Sequence, residues 1–566
     1  MSARSLVFME GMDSRCVPAT LEGSAVKSAF AILLGVALLA GCTRIATENA
    51  VRGGRHAWTV PHVLRFADVA DPDRLNPYLS EMDITYDLSS MIFSYLVVAN
   101  DRGRLVGDLA TEVPTLADGG ISPDGKTYVY HLRRGVKWQD GAPFTSRDVK
   151  FSWEAVVNPR NDTLYREGYD RVASIDTPDA YTVVVHLKRR YPPFVSLFFT
   201  PLQEGGKPIL PAHILAKYRS IDRVPFDSAP IGTGPFKFVK WERGREIVLV
   251  RNDDYFKGRP RLAKIVFYVI PNDETMLDEM RLHQIDLITA PQAALYEQYE
   301  SIPGAVVETV PWNAQNVLVM NERHAGLGDL TVRMALAMSI DYRALARKLT
   351  HGVGEATGAV EPSTAIGYLD LPPYRYDPAA ANRMLDAAGW RRGPGGVRVK
   401  NGVRLDYDIA VIAGSSNIRL AALQLQQYFA AIGVRLHLKT YPYNTIFSYD
   451  GPIFTGRYDF ADYSTTLSWD PNNLVYLGCD RWYPRGQNVY GYCNRELDAL
   501  ERAGLATDAP RARAAIYRRA ERLIHATVPY IPLYQLRRLV VRSVDLRHFK
   551  TNPTSTPWYN IWQWDI

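Results

Sequence analysis

The chain has 566 residues, too many for one hydrophobic core, so two or three domains are expected, with enough interior to bury a solute whole. Apolar residues at 47% and charged residues at 22% argue against a multi-span membrane protein and against a disordered chain. The net charge of +6 comes from 66 basic and 60 acidic side chains spread along the chain, without the basic stripe that nucleic-acid binding requires. The 33 Tyr and 11 Trp suit either a large ring-lined pocket or a Tyr-rich core.

The first predicted element is the apolar stretch Ala25 to Ala40, led by Lys27. Its run of about ten apolar residues is short for a membrane span and reads as the hydrophobic region of an export signal. It ends in Leu39-Ala40-Gly41-Cys42, which resembles the lipobox of bacterial lipoproteins. Cleavage before Cys42 would remove a 1–41 signal peptide and leave Cys42 as the lipidated first residue; an uncleaved anchor helix is the alternative. The segment before Ala25 is long for such a signal and carries Glu10, Asp13 and Glu22, which points to a translation start at Met9 or Met12. Residues 42–60 read as a flexible tether, polar and without periodicity from Thr43 to Ala57.

Order is expected from Val63. Val63 to Val69 alternates as a strand, Asp71-Pro72-Asp73 and Asn76-Pro77 break it, and Asp83 to Leu96 has helical spacing. Ser122-Pro123-Asp124-Gly125 is a turn before the alternating Thr127 to Leu132. Asp148 to Val156 is a short helix with Thr145 as its N-cap. Strands follow over Thr182 to Leu187, Phe236 to Trp241, Ile247 to Arg251 and Ile265 to Ile270.

Beyond Asn313 the texture changes to helices at Thr331 to Ala346, Pro378 to Ala388, Asn417 to Ile432 and Arg511 to His525. Leu405 to Ile412 and Val434 to Lys439 flank the third of these, predicting a strand, helix, strand unit with a right-handed crossover. Tyr530 to Val541 returns to strand character, as in a two-lobed protein whose chain crosses more than once between lobes.

Cys16 and Cys42 fall in the export segment, which leaves Cys479 and Cys493 as an even pair in an oxidising compartment, separated by a Tyr-Pro-Arg-Gly turn. A disulfide there would contribute roughly 3 kcal/mol. Two free thiols are the alternative, and a zinc site needs more ligands than this pair offers. No Gly-x-Ser-x-Gly elbow or His-Glu-x-x-His helix is present, and Gly352, Gly354 and Gly358 have the wrong spacing for a dinucleotide loop. Catalytic residues, cofactor and metal are therefore all expected to be absent.

Six blocks in order resemble the solute-binding proteins of bacterial peptide and nickel importers, family 5. They are Leu132 to Gly141 with Phe144 to Val149, Gly232-Thr233-Gly234-Pro235-Phe236, Arg251 to Phe256, Val332 to Leu336 with Ser339-Ile340-Asp341, Tyr376-Asp377-Pro378, and Leu385 to Trp390. The resemblance runs from about Leu64 to Tyr534. It implies an α/β, two-lobed periplasmic-binding-protein fold of type II, with an extra subdomain in the first lobe and a ligand cleft between lobes. On that pattern residues 61–313 form lobe 1, with an inserted subdomain at about 110–228. Residues 314–531 form lobe 2, and 532–566 return to lobe 1. The glycines of the Gly232 block are expected to take positive φ, and Asp341 to cap locally.

The resemblance further implies a monomer held at the outer face of the cell envelope by its lipid, which captures a peptide or similar solute and delivers it to an ABC permease and ATPase complex. Nickel chelates, oligosaccharides and a sensor role on the same fold stand as alternatives. The peptide binders hold the ligand's amino group with an Asp near a Trp-containing strand and loop, matched here by Tyr458 to Asn473. The Asp470-Pro471 pair matches, but the anchoring acid's position, three residues earlier, is Leu467. Asp462 or Asp470 supplies the charge instead, or the ligand lacks an ammonium group. Tyr463 and Trp469 belong to the same stretch; Trp469 is either a stacking platform or a core ring. Trp312 and Asn313, at the first crossing between lobes, either touch ligand or form the hinge.

Overall fold

The computed structural model describes residues 54–566, apart from 81, 164, 165, 167, 202–205, 449, 468, 483–485 and 553–556. The export signal, Cys42 and most of the tether lie outside the described residues. Trp58–Ile566 is one compact unit.

The elements that frame the interior are, in chain order, β1 (Val63–Asp68), α1 (Asp83–Ile92), β2 (Thr127–His131), α2 (Ser146–Val157), β3 (Val172–Asp179), β4 (Thr182–Leu187), β5 (Phe236–Glu242), β6 (Glu246–Arg251), β7 (Lys264–Val269), β8 (Leu287–Ile288) and β9 (Ala305–Met320). The second half adds α3 (Leu330–Met338), α4 (Tyr342–Thr350), β10 (Asp406–Ile412), α5 (Ser416–Ala431), β11 (Arg435–Tyr441), β12 (Phe460–Thr466), α6 (Arg495–Gly504), α7 (Pro510–Thr527) and β13 (Tyr530–Ser543). Ten strands form one sheet in the order β11-β10-β12-β9-β13-β8-β1-β7-β6-β5, and β2-β4-β3 form a separate three-stranded sheet.

Strand character follows burial. Leu64, Phe66 and Ala67 are fully buried and Arg65 nearly so, because β1 lies between parallel β7 and β8 with both faces covered. In β4, by contrast, Val183, Val185 and Leu187 face inward and alternate with half-exposed neighbours, the pattern of a sheet with one solvated face.

β10, α5 and β11 form the predicted strand, helix, strand unit, with Asp406 opposite Arg435 in a parallel pair. Its helix ends in a Schellman turn: Gly433 has φ 84°, and the Val434 amide donates to the Phe429 carbonyl at 2.9 Å. Thr145 does cap α2, in a reciprocal pair in which its amide donates to the Asp148 carboxylate at 2.8 Å.

Three sequence expectations change. The helix expected through Leu96 stops at Ile92, since the Ile92 carbonyl is taken by the Gly234 amide at 2.8 Å. Gly232 and Gly234 are glycines for close approach rather than positive φ: a Cβ on Gly232 would lie 1.9 Å from the Ile92 carbonyl oxygen, and neither has φ in the left-handed region. The single helix expected over Thr331 to Ala346 is two helices, because Asp341 accepts from the Ala344 amide at 3.0 Å and starts α4.

Two strands connect two hydrophobic interiors. In β9, Val310 packs with the core of Leu64, Phe66 and Phe236, whereas Leu318 and Met320 pack with that of Leu336, Leu425 and Phe460. In β13, Ile531 and Leu533 belong to the second core and Val540 to the first. Where these strands pass between cores their pairing loses register, from Pro311 opposite Arg537 to Gln315 opposite Gln535. The Gln535 side-chain amide spans the break, donating to the Trp312 carbonyl at 2.5 Å and the Ala314 carbonyl at 2.8 Å.

Candidate ligand-binding site

A cavity of about 310 Å³ opens against a further apolar cluster of the second half, which includes Val317, Ile453, Leu477 and Tyr490. Tyr191, Pro193 and Leu197 close it from the first half of the chain. The opposite wall is built on β9 and β12, whose paired residues Val317 and Tyr463 present one face to the cavity, with Thr465 two residues along. Period-two alternation puts Tyr463 and Thr465 on this face and Asp462 on the other.

Asp462 does not line the cavity. It lies fully buried beside Asn316 and Tyr534, and burial pushes its carboxyl to about 7, an effect the Asn316 amide only partly offsets. Asp470 does line the cavity, but both of its oxygens are held by the Arg513 guanidinium, at 2.7 and 2.5 Å. This buried two-point pair is a structural partnership. Ser196, from the first half, also donates to Asp470 at 3.3 Å, and Arg190 pairs with Asp508, so both contacts bridge the two halves beside the cavity.

Of the remaining candidates, Trp469 does not line the cavity, and its carbonyl accepts from the Ile366 amide at 3.1 Å. Trp312 and Asn313 sit in the register break of β9. The Arg538 guanidinium lies 5.1 Å from the centre of the Trp312 ring, and the Asn313 side chain accepts from the Thr364 hydroxyl at 2.8 Å. Leu467, at the place where the family resemblance puts an acid, contributes an aliphatic surface. Cys479 and Cys493 are joined in a disulfide across a separation of 14 residues, bracing the segment that carries Gln487 and Tyr490 to the wall.

A second acid of the cavity is Glu361, which sequence reasoning missed. It stands in Ala359-Val360-Glu361-Pro362, where the signal is an acid enclosed by apolar neighbours in a stretch without periodicity. The Gln315 amide donates to the Ala359 carbonyl at 2.8 Å and fixes this segment. Glu361 is 6% exposed and accepts from the Asn473 side-chain amide at 2.7 Å. The same amide donates to Glu501 at 3.0 Å, and Glu521 lies behind. Burial first, then the neighbouring carboxylates Glu501, Glu521 and Asp470, push the Glu361 carboxyl well above the usual range. Burial likewise pushes Glu501 and Glu521 to about 7. Among the described residues no group of three or more His, Cys, Asp and Glu could hold a metal ion.

The model of the family described as bacterial extracellular solute-binding proteins, family 5 Middle, matches residues 105–482. The chain is 25% identical over 503 residues to the oligopeptide-binding protein AppA of Bacillus subtilis, covering 88% of this chain and 90% of the relative. It is 27% identical over 476 residues to a putative ABC transporter peptide-binding protein of Brucella ovis, covering 81% and 85%. Among solved structures, B. subtilis AppA in complex with a nonapeptide superposes with a TM-score of 0.70 at 24% identity, over 89% of this chain and 98% of that one. NikZ from Campylobacter jejuni in complex with Ni(L-His) superposes at 0.72 and 24%, over 90% and 100%. These likenesses carry the fold, the two-lobed α/β architecture of type II periplasmic binding proteins. With its family model covering well over half of its length, the chain belongs to the bacterial extracellular solute-binding proteins of family 5, which are binding proteins and not enzymes.

Proposed function

We propose that this chain is the substrate-binding subunit of an ABC importer, anchored by a lipid on Cys42, which closes its two lobes over a peptide and delivers it to a membrane permease. The observation that carries the reading is the ring-lined cavity between the two halves, which two continuous strands, β9 and β13, join. On this reading residues 61–313 and 532–566 form one lobe and 314–531 the other, and the register break at Trp312 to Ala314 is the hinge. Hinge closure around a ligand is a motion for which periplasmic binding proteins are a standard example. It shifts an existing equilibrium by the ligand's greater affinity for the closed form. The names of the relatives support a peptide as the solute.

Native mass spectrometry of the protein purified from cell envelopes without denaturation tests this reading: a retained peptide mass is expected, and a sugar or metal chelate in its place overturns it. For the anchor, an alkyne fatty acid should label the wild type; label retained in Cys42→Ser refutes lipidation there.

A further inference from the structure

We infer that the cavity is a cation subsite, taking a primary ammonium or guanidinium group of the ligand against Glu361 and between tyrosine rings. This rests on the reading of the cavity as the ligand site and adds the chemical class that it selects.

Among the described residues no Lys, Arg or His lines the cavity, and the acids that line it are Glu361 and Asp470. Arg513 is committed to Asp470 by two hydrogen bonds, so that pair presents little net charge. Among the described residues Glu361 has no such counter-ion: its partner is the neutral Asn473 amide, shared with Glu501. A carboxylate or other anion entering here would meet buried acids and no cation, a costly burial. A cation would meet a fixed acid and the rings of Tyr463, Tyr490 and Tyr530, aromatic surface that suits a positive group and an alkyl stem. The volume of about 310 Å³ lies at the small end of ligand pockets and suits one long side chain or a small amine rather than a whole oligopeptide.

The acid is held in place for this. Gln315 on β9 and Tyr530 on β13 donate to the Ala359 and Val360 carbonyls, at 2.8 and 3.5 Å, and Pro362 follows directly. The titratable groups facing Glu361 are Glu501 on α6, Glu521 on α7, Asp470 with its Arg513, and Tyr530. Burial and the neighbouring carboxylates favour the protonated form of Glu361; an arriving cation favours the carboxylate, so cation affinity rises with pH. Glu501 and Glu521 ionise near neutrality and add to the same trend.

The test uses the full mature protein and a randomised peptide pool, with captured peptides sequenced. A synthetic pair differing only in Lys against norleucine, chosen from the captured set, and a free alkyl diamine are then titrated calorimetrically. The wild type should enrich Lys- or Arg-bearing peptides at least tenfold and prefer the Lys member of the pair at least tenfold at pH 7.5, with a smaller preference at pH 5.5. In Glu361→Gln the Lys-to-norleucine ratio should fall to within twofold of one. Equal wild-type affinities, a preference that ignores pH, or a preference that survives Glu361→Gln overturns the subsite while leaving the peptide reading intact. Because the pH arm uses the wild type, it decides even if the variant fails to fold. Binding of the diamine without any peptide overturns the peptide reading and leaves the subsite; binding of neither overturns both.

Discussion

The residues around the cavity divide by what their charge is paired with. Asp470 was legible as important from its place before Pro471, but its role comes from Arg513, 43 residues away in the chain, which no local pattern reveals. Removing one partner of such a pair leaves a buried uncompensated charge, and Asp470→Asn should cost about 3–5 kcal/mol of unfolding free energy in urea. Asp462 behaves differently because it is buried without a cation, with its folded pKa near 7 and its unfolded value at about 3.9. Between those values the folded state holds the proton and the unfolded state does not, so this residue's contribution to stability falls as pH rises through the window. Asp462→Asn mimics the protonated acid and removes that fall. The variant should gain on the wild type by up to about 1.4 kcal/mol per pH unit from pH 4 to 7, with peptide affinity unchanged because the side chain faces away from the cavity. A flat difference across that range would remove Asp462 as a titrating buried group.

At the scale of elements, periodicity located most strands and helices, and the misses have physical causes. The helix expected from Thr331 reads as continuous because its apolar spacing persists across Ser339 and Ile340. The break comes from Asp341, whose side chain competes for a backbone amide. The Gly232 block was legible as a turn, but the reason for its glycines is the Ile92 carbonyl of another element. The Cys479 to Cys493 link closes a short loop that carries Gln487 and Tyr490 to the cavity wall, and the Cys479 amide is further held by Asp498 at 3.2 Å. Replacing both cysteines by serine should lower the unfolding free energy by roughly 3 kcal/mol. Wild-type protein alkylated without reductant should show no added mass at these positions; modification of both would show that they are free thiols.

For the whole molecule, two cores joined by two strands are expected to move relative to each other, and the contacts that oppose this include polar bridges and the packing of Leu505 against the first core. Arg190 with Asp508, and Ser196 with Asp470, bridge the halves. Arg190→Ala should shift the unliganded protein toward open forms, seen as a larger radius of gyration in solution scattering that contracts when peptide is added. A profile identical to wild type and unmoved by peptide would count against closure. The amino-acid sequence by itself determined the family, the alternation that makes the strands, the change of texture after Asn313 and the order of the six blocks, because these depend on local periodicity and on residues adjacent in the chain. Only the tertiary structure decided which acids meet. The face that Asp462 presents follows from the register of β12 on β9, Asp470 is neutralised by Arg513, and Glu361 reaches the cavity because Gln315 and Tyr530 hold its segment. Charge in a buried site is set by neighbours in space, whose contribution depends on distance and local dielectric and leaves no periodic trace in the chain.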